Sequence, residues 1–179
     1  MYKELKDFAC QGKGEITEFI GNLEPSTSTL VHIIYFMTAA IAFGEGHKSD
    51  YLSHDNLHRL LANSYLDSGH FARMFLGEHI HIWEEILDRC FEASMEAGDM
   101  LEDWIDTKDR WWFCHHLAVA LGFLNLPDEK VIEYGASADK LLDQAVRFCL
   151  RGMGMKDEAI KRHYNPSTLS IFVSGISQI

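Results

Sequence analysis

The run from Trp111 to Leu126, WWFCHHLAVALGFLNL, holds only three strongly polar residues: His115, His116 and Asn125. Aliphatic and aromatic side chains point every way round a helix of that pattern. It predicts a helix running through the middle of a helical domain, covered on all sides. At 1.5 Å per residue the run spans about 24 Å, short of a bilayer's hydrocarbon core, so burial in protein is the reading. A second run, LVHIIYFMTAAIAF, predicts another nearly all-apolar helix over 27–43. The serines and threonines from Ser26 to Thr29 supply its N-cap, and Gly44 or Gly46 closes it. Its small residues Thr38, Ala39, Ala40 and Ala42 let a neighbour come close, and the expected neighbour is the 111–126 helix.

Elsewhere the apolar positions recur at amphipathic spacing. Short helices are expected over 2–11 and 15–22, ending near Pro25, with a polar loop over 46–51. Ser53 caps a helix to about Asp67, Ser68 and Gly69 turn the chain, and a long amphipathic helix follows from about His70 to Ala97. Gly98 breaks it before a short piece with Leu101, Trp104 and Ile105. A helix from Asp128 to about Leu150 and a short one from Lys156 to Tyr164 come next. The tail from Leu169 to Ile179 is β-branched with alternating serines and reads as strand or helix. No Pro- or Ser-rich linker and no repeat divides the chain. The expected fold is all-α, one domain over 1–179, with about six to eight helices packed around the 27–43 and 111–126 pair.

Composition narrows the function classes. A chain of 179 residues can bury a core without disulfides or structural metal. Cys10, Cys90, Cys114 and Cys149 stand far apart with no CxxC pair and read as reduced core thiols. No secretory leader pattern opens the chain, so a cytoplasmic location is expected, with no membrane span. A net charge of −11 with scattered basic residues argues against nucleic acid as a partner. Ten acids between Glu84 and Asp109 stand against Arg89 and Lys108, a net of −8. Within that segment Glu84, Asp88, Glu92 and Glu96 recur every four residues, a face suited to water or to a basic protein partner.

Histidines supply the candidate chemistry. If the chain reverses at Ser68 and Gly69, residues equidistant from the turn lie side by side, bringing His54 and His58 to the level of Glu78, His81 and Glu85. His54 and His58, at i and i+4, have the spacing that lets two imidazoles grip one zinc ion. Glu78 and His81 complete a metal-ligand set for one divalent metal, with Asp55 or Glu85 as the base that activates a metal-bound water. His54-Asp55-x-x-His58 parallels the His-Glu-x-x-His of zinc peptidases with a shorter acid. Read with His32 upstream and Asp103 or Asp106 downstream, the doublet resembles the H…HD…D order of HD-domain enzymes, which implies a metal-dependent phosphohydrolase. There the doublet ends an apolar helix; here Leu52 and Ser53 precede it and a new helix follows. Glu78-x-x-His81 is half of a carboxylate-bridged di-iron pattern, and no second Glu-x-x-His occurs in the chain.

His32 and one of His115 or His116 fall in apolar helices. Desolvation favours their neutral forms, and they need hydrogen-bond partners, such as backbone or helix-end carbonyls. Alternatively His32, Trp112 and His116 line a small-molecule pocket between the two apolar helices. Phosphate-cradling glycine loops and a GxSxG elbow are absent from the sequence. With no complete catalytic motif, the leading expectation is a homo-oligomeric binding module, most simply a homodimer, that presents Trp111 and Trp112 or the tail to a second copy or a partner. A metal-dependent hydrolase on the 54–85 hairpin is the alternative, and the pocket binder a further one.

Overall fold

The computed structural model describes residues 22–44, 53–102, 105–129 and 131–170; over 78–82 it describes the backbone and not the side chains. The expected helices at 2–11 and 15–22, the loop at 46–51, Trp104 and the tail from 171 lie outside the described residues. Six helices follow in order: α1 (Thr27–Phe43), α2 (His54–Leu66), α3 (His70–Glu96), α4 (Thr107–Leu124), α5 (Ala138–Gly152) and α6 (Asp157–His163). A last helical segment opens at 166. The architecture is all-helical, and among the described residues no helix is long and apolar enough to cross a membrane. One isolated antiparallel bridge, Met100 to Met155, is the sole β pairing among those residues.

Local chemistry sets the helix ends, at Ser26, Ser53, Gly44 and Gly69 as expected and at Ser137 unexpectedly. The Ser26 hydroxyl accepts from Thr29 N at 3.1 Å, and Ser53 and Ser137 do the same for Asn56 and Lys140. Gly44 closes α1 at φ 69°, and Gly69 turns α2 into α3 at φ 71°, conformations that glycine adopts without steric cost. α4 begins after Asp106, with Thr107 its first residue.

The helix at the centre is α1. It packs against α3, α4, α5 and α6, and none of its residues is exposed. Leu30, Val31, Ile34 and Ala39 have essentially no access to water. α1 packs on α4, as the small residues predict: Ala42 of α1 meets Ala118 and Leu121 of α4 and Ala145 of α5 in a small buried cluster. The expectation that the 111–126 helix is covered on all sides is overturned. Phe113, His116 and Ala120, spaced one turn apart, form a bare stripe along α4, because α4 lies beside α1 and not inside a shell of helices.

The start of α5 also differs from expectation. Residues 125–129 and 131–137 form no helix, and Lys130 lies outside the described residues. Val131 and Ile132 are exposed, so no buried surface rewards a helix there. Gly135 takes φ 61°, and Ser137 caps a helix that starts only at Ala138. The short piece expected around Leu101 and Ile105 is not helical at either residue.

One buried carboxylate ties the first helix to the last. Asp99 is 4% exposed. It accepts from the Thr27 hydroxyl at 2.8 Å and from Arg162 Nη1 at 3.0 Å, and His163 Nε2 stands 3.4 Å away. Its backbone carbonyl receives Lys156 N at 2.9 Å, and Leu101 N bonds Gly154 O at 2.7 Å. Beside this junction the buried Arg110 spends its guanidinium on the carbonyls of Ile105 and Met153, at 2.8 and 3.0 Å. A buried charge thus finds several hydrogen bonds in place of water.

Candidate functional site

The histidines collect where α2 crosses the ends of α1 and α4. An α-helix leaves its last carbonyls without intrahelical donors, and Ile41 O belongs to that set at the end of α1. His54 Nε2 lies 2.9 Å from it. His58 Nδ1 lies 3.1 Å from His54 O, one turn back on α2. A carbonyl only accepts, so His54 carries its proton on Nε2 and His58 carries one on Nδ1 in these contacts. Arg59, next on α2, donates to Leu126 O at 2.6 Å beyond the end of α4. α2 therefore caps the end of α1 through His54 and ties down the chain that leaves α4 through Arg59.

Two glycines make room for these rings. A methyl at Gly44 would stand 2.9 Å from His54 Cγ. One at Gly122 would stand 2.5 Å from His58 Nε2 and 3.0 Å from Ile41 O. His58 is 3% exposed, lies tilted against His54 with ring centroids 4.2 Å apart and meets Phe123 edge-on at 5.6 Å, so its ring has little space to swing. Gly122→Ala is accordingly expected to lower stability by about 1–3 kcal/mol through overpacking, although alanine favours the helix by about 1 kcal/mol. Adding His58→Ala should return part of the loss. Urea unfolding of the parent and the two variants measures this, and a Gly122→Ala protein as stable as the parent would contradict the close approach.

On α4 the rings continue as a ladder. Trp111, 2% exposed, stacks on Trp112 with centroids 4.6 Å apart, and His115 meets Trp112 edge-on at 5.2 Å. His116 lies 5.5 Å from Trp112 and is exposed. His115 Nδ1 is buried and finds no hydrogen-bond partner among the described residues. Burial, followed by the neighbouring His116 and His58, pushes the His115 pKa down from 6.5 to about 4. Its imidazole is neutral at neutral pH.

Of the metal-ligand set expected from sequence, the structure brings together His54 and His58 and turns them toward α1 and α4. Asp55 sits 3.4 Å from His54 Nδ1 with its side chain 68% exposed, a long contact open to solvent. Glu85 is exposed on α3, and the side chains of Glu78 and His81 lie outside the described residues. Among the described residues no three His, Cys, Asp or Glu side chains come together in a way that could hold a metal ion. Of the HD-type order, His32 bonds Ser28 O on its own helix at 2.6 Å and Asp106 caps α4; Asp103 lies outside the described residues. Of the pocket set, Trp112 and His116 adjoin each other.

Sequence reasoning missed the capping role of His54, the tie from Arg59 to Leu126 and the spacing role of Gly122. An interior helix glycine was the available signal, since it often marks a close approach. Compared with protein-family models, with curated proteins and with solved structures, the chain finds no match.

Proposed function

We propose that the protein is a small helical binding module that pairs with a second copy of itself through the outer face of α4 and α5. One observation carries this reading: Phe113 on α4 is 61% exposed and Phe148 on α5 is 68% exposed. They flank the place where the two helices touch, Cys114 to Cys149, so an apolar patch sits on the helix with the longest apolar run. Trp111 is buried and takes no part in it, while Trp112 is partly covered.

Charge selects the partner. Exposed Asp109, Asp139, Lys140 and Arg151 on the same two helices balance in sign, while Lys108 is turned to Glu84 of α3, so this face meets its own two-fold copy without net repulsion. The α3 face, with Glu85, Asp88, Glu92 and Glu96 all exposed, would repel itself and suits a basic protein instead. Burying four phenylalanine rings across a pair gains about 6–12 kcal/mol at roughly 1.5–3 each. That is of the same size as the roughly 4–15 kcal/mol cost of association, so pairing is reversible.

Sedimentation velocity over a rising concentration series tests it. The parent should pass from monomer to dimer, and Phe113→Ser with Phe148→Ser should stay monomeric with unchanged helix content. A parent that remains monomeric throughout, or a double variant that still pairs, refutes the reading.

A further inference from the structure

Cys114 of α4 and Cys149 of α5 meet in the core. Both are free thiols, 7% and 2% exposed, and Cys114 Sγ lies 3.6 Å from Cys149 O. The Cys149 carbonyl already receives Met153 N at 2.8 Å within its own helix, so the Cys114 thiol is a second, weaker donor to it. The two side chains are also close enough to share a hydrogen bond. The third described cysteine, Cys90, is buried on α3.

We propose that Cys114 and Cys149 form a redox-active dithiol that a small peroxide closes into a disulfide joining α4 to α5. The sulfur that attacks is Cys149, because the Cys114 thiol is the one whose proton is engaged, on the Cys149 carbonyl. The hydrogen bond from Cys114 acts first among the causes that hold the Cys149 thiol below its ordinary pKa. The same bond leads the causes that hold Cys114 well above it. A low-pKa sulfur beside a protonated thiol is the arrangement in which one cysteine attacks and the other resolves.

The reaction balances as follows. The Cys149 sulfur attacks one peroxide oxygen, the O–O bond breaks, and the departing hydroxide takes the Cys149 proton as water, leaving a sulfenic acid. The Cys114 sulfur then attacks the Cys149 sulfur, the S–O bond breaks, and hydroxide leaves with the Cys114 proton as a second water. Two thiols and one peroxide give one disulfide and two waters. The sulfur pair loses two electrons and the peroxide gains them. Each cysteine directly follows an exposed phenylalanine, Phe113 on α4 and Phe148 on α5. A molecule as small as hydrogen peroxide therefore needs only a local opening of the α4 and α5 seam.

Native protein is treated with hydrogen peroxide, its remaining thiols are blocked with N-ethylmaleimide in denaturant, and the non-reduced digest is read by mass spectrometry. The expected product is one linked peptide pair carrying Cys114 and Cys149, two hydrogens lighter than its parts, with Cys90 blocked as a free thiol. Blocked Cys114 and Cys149 overturn the proposal, and so does a link from either to Cys90 or Cys10. Single variants test the order of attack. Cys114→Ser should accumulate a sulfenic acid on Cys149 that dimedone captures, whereas Cys149→Ser should leave Cys114 unlabelled; labelling of Cys114 instead overturns the assignment of Cys149 as the attacking sulfur.

Discussion

Asp99→Ala is expected to cost about 3–5 kcal/mol, the range for removing one member of a buried charged network. The substitution removes the acceptor that the buried Thr27 hydroxyl bonds at 2.8 Å and the anchor of Arg162 at 3.0 Å. The stranded Thr27 hydroxyl accounts for about 1–3 kcal/mol of the loss, and the charged hydrogen bond for about 1.5–3 more. Asp99→Asn keeps an acceptor for Thr27 and gives up the charge, so it should fall between parent and alanine. Urea unfolding at neutral pH, with the m-value held constant, is the measurement; an alanine variant within about 1 kcal/mol of the parent would mean that the junction is not a structural tie. Burial by itself pushes the Asp99 carboxyl up, but the Thr27 hydrogen bond and the Arg162 and His163 charges outweigh it and hold the pKa below its ordinary 3.8. Its contribution is therefore present above pH 3.8 and is lost as pH falls through the lowered value.

Acid should act earlier through His115. Its pKa drops from 6.5 in the unfolded chain to about 4 in the fold. The unfolded state thus takes up a proton first as pH falls. Stability is complete above pH 6.5, declines from there to about pH 4, and levels off below. The shift corresponds to about 3 kcal/mol at 1.36 kcal/mol per unit, or about 2–3 after allowing for partial exposure of the ring. His115→Phe keeps the edge contact with Trp112 and removes the proton site. It should flatten this decline and, by removing a buried nitrogen that has no partner among the described residues, be at least as stable as the parent at pH 7. Denaturation midpoints at pH 7 and near pH 4.5 decide it, and equal acid sensitivity in parent and variant would place the acid-labile group elsewhere.

What the sequence reveals and what it hides follow one physical division. Ends of helices rest on neighbours within a few residues, so Ser26, Ser53, Gly44 and Gly69 could be read directly. The pairing of α1 with α4 was also legible, because Ala42 and Ala118 are small and the two runs are apolar. Which of the two lies at the centre depends on where the other helices go, and local pattern made α4 as good a choice as α1. Val131 and Ile132 extended an apolar rhythm that finds nothing to pack on. Asp99 looked like one more member of an acidic face, since its partners are 72 and 63 residues away. His54 and His58 have metal-ligand spacing, yet the same i,i+4 geometry lets one ring cap α1 while the next bonds back one turn. Spacing alone does not separate these uses.

The junction at Asp99 also bears on the order in which the protein matures during synthesis. Thr27 and Asp99 can meet once α3 has emerged, but Arg162 lies 63 residues further along the chain. At about 5–20 residues per second, those residues take roughly 3–13 s to appear. For that interval the central helix is held to Asp99 by a single hydroxyl, and its apolar surface awaits α4 and α5. The nascent chain is most open to chaperones and proteases in that window, and translation speed between codons 99 and 162 governs how long the window lasts.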